Sequence, residues 1–161
     1  MCLINEHAKA LKRLQELEDK LAAGDSLKPP AIPLLQLNPS VVYAEVQAKG
    51  LKFLYTGLLD GETYHYTTAE GWIEVISYIY PNMPKYAAGR MDCEDFAILM
   101  KGLVSSTFGL NYFALTIGNS PLGWHSFNFY RDEVGLMMLE PQKAEIMAWN
   151  EGGYTPEYVL L

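Results

Sequence analysis

Leucines at 11, 14, 17 and 21 recur at spacings of three and four, with lysine, arginine, glutamate and aspartate between them. That pattern predicts a charged amphipathic helix over residues 5–23, stopped by Gly24. Its apolar stripe suits packing on its own domain or docking on a partner, including a second copy. The periodicity then breaks, and Pro29, Pro30, Pro33 and Pro39 fall within residues 25–40. A stretch so rich in proline reads as an extended linker lying across a surface. The expected organisation is an amphipathic helix over 1–24, a Pro-rich linker over 25–40 and a domain over 41–161.

Inside that domain, residues 41–49 suit a short helix ended by Gly50. Residues 51–59 and 64–67 are rich in β-formers, with Asp60-Gly61 as a turn signal between them. A helix over 69–80 follows, capped by Thr67 or Thr68, with Trp72, Ile73, Ile76 and Ile79 on one face. Pro81 and Pro84 end it. A second helix over 92–107 carries Phe96, Ala97, Leu99, Met100, Leu103 and Val104, and Gly109 stops it. Three strands come next, over 112–117, 124–131 and 136–140, the last two joined through Asp132-Glu133-Val134-Gly135. Helices packed on an antiparallel sheet make an α+β fold.

Composition narrows the partners. Half of the 161 residues are hydrophobic and 19% are charged, which excludes intrinsic disorder. Nineteen acidic against twelve basic residues give a net charge of −7, a field that repels nucleic-acid backbones. No apolar run approaches the ~20 residues a bilayer span needs. The N-terminus reads as no secretory signal, so the expected location is the cytoplasm, without membrane attachment. Two cysteines, Cys2 and Cys93, are too few for a disulfide framework.

The chemistry gathers around Cys93, which opens the 92–107 helix behind Asp92. A thiol there feels unpaired N–H groups and the positive end of the helix dipole, whereas Glu94 and Asp95 work against a thiolate. His7 and His65 read as surface or packing residues, but His125 begins a strand in the same helix-plus-sheet unit as Cys93. An even-length hairpin loop brings Glu140 to the face of His125, opposite it or diagonal to it, while Asn128 points to the other face. A cysteine nucleophile, a histidine base and a carboxylate that orients it form a hydrolytic triad of Cys93, His125 and Glu140. Gln142 is the candidate oxyanion donor and Trp124 the ring that covers the site. The rival reading places Cys93 in the core, the usual fate of a free cysteine. No cysteine or histidine spacing suits zinc, and no cofactor is expected.

The string Asp92-Cys93-Glu94-Asp95-Phe96-Ala97-Ile98-Leu99-Met100-Lys101 resembles the nucleophile helix of the transglutaminase-like, papain-like cysteine peptidase superfamily. Gly123-Trp124-His125-Ser126-Phe127-Asn128 resembles its histidine strand, and Leu139-Glu140-Pro141 its acidic residue followed by proline. The Asp92–Ala97 string is particularly similar to that of the bacterial transglutaminase-like cysteine peptidases. A Cys–His–Glu set is also similar to the protease-like C-terminal domain of Marasmius-type agglutinins, which implies calcium on Asp92, Glu94 and Asp95. The resemblance covers about residues 72–142. Two departures are plain: glutamate stands where aspartate is usual, and residues 86–90 carry no glutamine for an oxyanion hole. The resemblance implies a papain/transglutaminase-like core and a thiol hydrolase acting on a peptide or isopeptide bond of a peptide or protein substrate. The alternative is an inactive relative that binds a peptide or serves in an assembly.

Overall fold

The computed structural model describes residues 12, 15, 16, 19, 28–55 and 63–161. Residues 12, 15, 16 and 19 are helical and exposed; the remainder of the expected 5–23 helix, like the expected Asp60-Gly61 turn, lies outside the described residues.

The first strand, β1 (Leu35–Leu37), lies inside the expected linker and pairs antiparallel with β3 (Tyr64–Tyr66) as a two-stranded sheet. Helix α1 (Pro39–Ala48) begins in that same proline-rich stretch. Pro39 needs no amide partner in a first turn, and the Asn38 side chain accepts the Ser40 N–H at 2.9 Å. Gly50, with φ of 76°, turns the chain after the helix. Two residues, β2 (Lys52–Phe53), then join the main sheet beside the C-terminal strand and parallel to it. The β-rich stretches 51–59 and 64–67 thus contribute strands to separate sheets, and the main sheet is mixed rather than antiparallel.

Helix α2 (Ala69–Ile79) is capped by Thr68, whose side chain accepts the Gly71 N–H at 3.1 Å. Pro81 shortens its end to a 3₁₀ turn over Tyr80–Asn82. Helix α3 (Cys93–Phe108) starts behind Asp92 and stops at Gly109, where φ is 69°. Five strands follow: β4 (Phe113–Ser120), β5 (Gly123–Arg131), β6 (Leu136–Glu140), β7 (Glu145–Ala148) and β8 (Thr155–Leu160). The order across the six-stranded sheet is β2-β8-β4-β5-β6-β7. The architecture over residues 28–55 and 63–161 is α+β: three α-helices, this mixed sheet and the two-stranded one.

Strand alternation sorts the side chains into two cores. On one face, Phe113, Tyr130 and Leu139 pack against Trp72, Val75 and Ile76 of α2 and Met100 and Val104 of α3. On the other, Tyr112, Ala114, Phe127, Phe129 and Met138 pack against Val42 and Val46 of α1. Each large side chain so buried contributes about 1.5–3 kcal/mol. Glu45 fixes α1 to the sheet, accepting the Tyr112 hydroxyl at 2.7 Å and pairing with the Arg131 guanidinium.

Candidate functional site

At the start of α3 the Asp92 N–H donates to Asp95 Oδ2 at 3.3 Å, closing the first turn. The Cys93 thiol is half-buried and free of any disulfide. It donates to Glu94 Oε2 at 3.2 Å and meets the Ser126 N–H of β5. Burial pushes this thiol up and the Ser126 N–H pulls it down. The hydrogen bond and the charge of Glu94 then push it up again, so the balance lies above an ordinary cysteine. Glu94 itself is held below the usual carboxylate range, first by its own N–H and then by the thiol. The helix terminus therefore favours a protonated thiol and an ionised Glu94.

The β5–β6 hairpin takes the even-length register. Asn128 faces Leu139 and Arg131 faces Leu136, with the Asp132 N–H donating to the Gly135 carbonyl at 3.0 Å. That register sets Glu140 diagonal to His125, and His125 Nε2 lies 2.7 Å from Glu140 Oε2. Both side chains are buried, at 6% and 1% exposure. The same oxygen accepts the Tyr154 hydroxyl at 3.0 Å, and Oε1 accepts the Gln142 N–H at 3.0 Å. Burial works to raise the Glu140 carboxyl, but these donors outweigh it and hold it below its usual range. Burial and the neighbouring carboxylate push the Tyr154 hydroxyl up. Gln142 contributes main chain here: its carbonyl accepts the Tyr80 hydroxyl at 2.9 Å.

Sequence reasoning thus placed His125 and Glu140 together. Cys93 stands apart from them in bonding. Trp124, Ser126 and Asn128 share the face that α3 covers, whereas His125 faces the other core with Phe127 and Phe129. The hydrogen bonds of the thiol go to Glu94 and Ser126, not to the imidazole.

Beyond the first turn of α3, the sheet face at Trp124 is exposed among the described residues. Trp124 is 59% exposed, and its ring meets Tyr158 edge-on, with centroids 6.1 Å apart. The Lys52 ammonium sits 5.3 Å from the Tyr158 ring centre. Asn119, paired with Trp124 across the strands, donates to Glu157 Oε1 at 3.0 Å. Lys52, Tyr158, Asn119 and Trp124 share this face because their strands pair in register. An exposed indole edged by a cation, an amide and a carboxylate gives one flat apolar surface with polar groups at its rim. Of these residues only Trp124 was singled out from the sequence. The others lie on β2, β4 and β8, and the run Thr155-Pro156-Glu157-Tyr158-Val159-Leu160 after Gly152-Gly153 was the signal that could have found β8.

Among the described residues no group of three or more His, Cys, Asp or Glu side chains is placed to hold a metal ion. No helix among them is long and apolar enough to cross a membrane.

No family model and no curated protein matches the chain. Solved structures do. A complex of PSL1a with E64 aligns with a TM-score of 0.62 at 21% identity, over 79% of this chain and 50% of that one. The Polyporus squamosus lectin bound to the human-type influenza-binding epitope Neu5Acα2-6Galβ1-4GlcNAc aligns with a TM-score of 0.57 at 20% identity, with the same coverages. This chain spans about half the length of those neighbours, and at such identity the likeness is one of fold. It overturns the expected membership of the transglutaminase-like, papain-like cysteine peptidases, because the fold is shared with a lectin. Thiol hydrolysis of a peptide or isopeptide bond, the inactive peptide-binding relative and the peptide or protein substrate are set aside with it. The raised Cys93 thiol supplies a physical reason: a nucleophile needs the thiolate, and this environment disfavours it.

Proposed function

We propose that this chain is a carbohydrate-binding module whose ligand lies on the open sheet face at Trp124. The observation that carries the reading is an indole 59% exposed and braced edge-on by Tyr158. One face of a pyranose ring presents C–H groups that suit the negative face of an aromatic ring. Its hydroxyls need donors and acceptors around that ring, and Lys52, Asn119 and Glu157 supply both. The fold likeness to a lectin bound to a trisaccharide supports the choice of ligand class. In this reading Cys93 belongs to the wall of the site, while His125 and Glu140 brace the strand that presents Trp124. Gln142 closes the brace through its main chain.

Trp72 is buried and Trp149 half-buried, so indole fluorescence reports a ligand at Trp124. Titration with Galβ1-4GlcNAc and with Neu5Acα2-6Galβ1-4GlcNAc is expected to give a saturable change for at least one of them. Trp124→Ala is expected to weaken that binding at least tenfold, about 1.4 kcal/mol. No saturation by either sugar, or an unchanged affinity in the variant, contradicts the assignment.

A further inference from the structure

Asn128 is fully buried between α3 and the sheet, and its use of hydrogen bonds is lopsided. Its Nδ2 donates to the Ala97 carbonyl of α3 at 2.9 Å and to the Ala114 carbonyl of β4 at 3.0 Å. Its Oδ1 is buried and has no partner. Ala97 lies inside α3, so its carbonyl already serves the amide four residues on. As a source of stability this arrangement is poor: one of the two bonds goes to a helix carbonyl that is otherwise satisfied, and an acceptor is left without a donor. An apolar side chain of similar volume removes the unpartnered acceptor together with the two donors, so that the gain offsets the loss.

The arrangement makes sense as a placement device. Asn128 joins three elements, α3, β4 and β5, within one turn of Cys93 and two residues from Ser126. Cys93 and Ser126 meet where β5 has no neighbour on its β6 side, since β6 pairs only with Asn128–Arg131. Along this edge α3 approaches β5 through the sulfur and through Asn128. From the two donated hydrogen bonds and the unpartnered Oδ1 we infer that Asn128 is a positioning residue. It sets the first turn of α3 against the strand that carries Trp124, and so shapes the ligand-binding face. The inference rests on the carbohydrate reading for its consequence, but not for the geometry it asserts.

The test is Asn128→Leu in the full chain, with Asn128→Met as a second apolar replacement should the branched side chain fail to fold. Amide hydrogen exchange is read at Ser126, whose N–H meets the Cys93 sulfur, alongside the melting temperature. The expected result is exchange at Ser126 at least tenfold faster, with the melting temperature and the exchange of Phe127–Tyr130 unchanged. Affinity for whichever sugar the wild-type protein binds falls at least tenfold. Unchanged exchange at Ser126 overturns the inference. A lower melting temperature with faster exchange along all of β5 also overturns it, because that is the signature of a purely structural residue. Should the wild-type protein bind neither sugar, the carbohydrate reading fails, while Ser126 exchange still decides the role of Asn128.

Discussion

Cys93 shows how two neighbours decide the character of one thiol. A helix start lowers a cysteine, and the Ser126 N–H acts in that direction, but burial and Glu94 act more strongly the other way. The sign follows: a group held above its ordinary value keeps its proton to higher pH and reacts later with alkylating reagents. Alkylation of Cys93 by iodoacetamide, followed by mass spectrometry across pH, is expected to show a midpoint above the ~8.5 of a free cysteine. Glu94→Gln is expected to lower that midpoint, since it removes the carboxylate charge. A wild-type midpoint near neutrality contradicts the electrostatic account. The adjacent pair behaves oppositely: His125 and Glu140 were legible in the sequence because hairpin parity is discrete, and an even loop leaves them one possible face. The bonding of the thiol was not legible, because it depends on how far α3 slides along β5.

At the scale of elements, β8 determines whether the open face exists. It pairs with β4 through a register shift between Ile117 and Gly118, which leaves Glu157 as the extra residue beside Asn119. Gly118 lies against the backbone of Thr155 and Pro156 at that shift, so a methyl group there presses into the Thr155 carbonyl. Gly118→Ala is expected to cost about 1–3 kcal/mol in denaturant unfolding and to weaken sugar binding by displacing Glu157 and Tyr158. Stability within 0.5 kcal/mol of wild type, a rough limit for a neutral surface change, contradicts that packing. Helices α2 and α3 and the strands β4 to β6 were readable because their periodicity and punctuation agree. Thr68, Gly109 and the 132–135 turn mark their ends, as expected. β2 falls within the 51–59 stretch read as rich in β-formers, whereas β7 and β8 were not readable. They span four and six residues, β8 contains a proline, and β8 becomes a strand through β4 and β2, which are distant in sequence. Pro39 illustrates the opposite error: a proline taken as a sign of linker instead opens α1.

At the scale of the molecule, a sheet with helices on both faces leaves Trp124 exposed among the described residues, in a chain of net charge −7. The buried Glu140 couples that architecture to acid. Its folded value lies below that of the unfolded chain, so its contribution is complete above the unfolded value near 4.3 and is lost as pH falls through the folded one. Glu140→Gln is expected to cost about 1–3 kcal/mol at pH 7, the penalty for weakening the buried hydrogen bonds that Glu140 accepts, and to flatten the acid limb below pH ~4. An acid limb of unchanged steepness in that variant contradicts the coupling. The neighbours of known structure are twice as long as the aligned region, so this half must be tested on its own for the ligand.

Amide chemical-shift mapping of the isolated chain during titration with Neu5Acα2-6Galβ1-4GlcNAc and Galβ1-4GlcNAc tests the central claim most directly. The account predicts saturable shifts concentrated at Lys52, Asn119, Trp124, Ser126, Glu157 and Tyr158, with those of α1 and β6 unmoved. Shifts centred on another surface, or none at saturating concentrations of both sugars, contradict it.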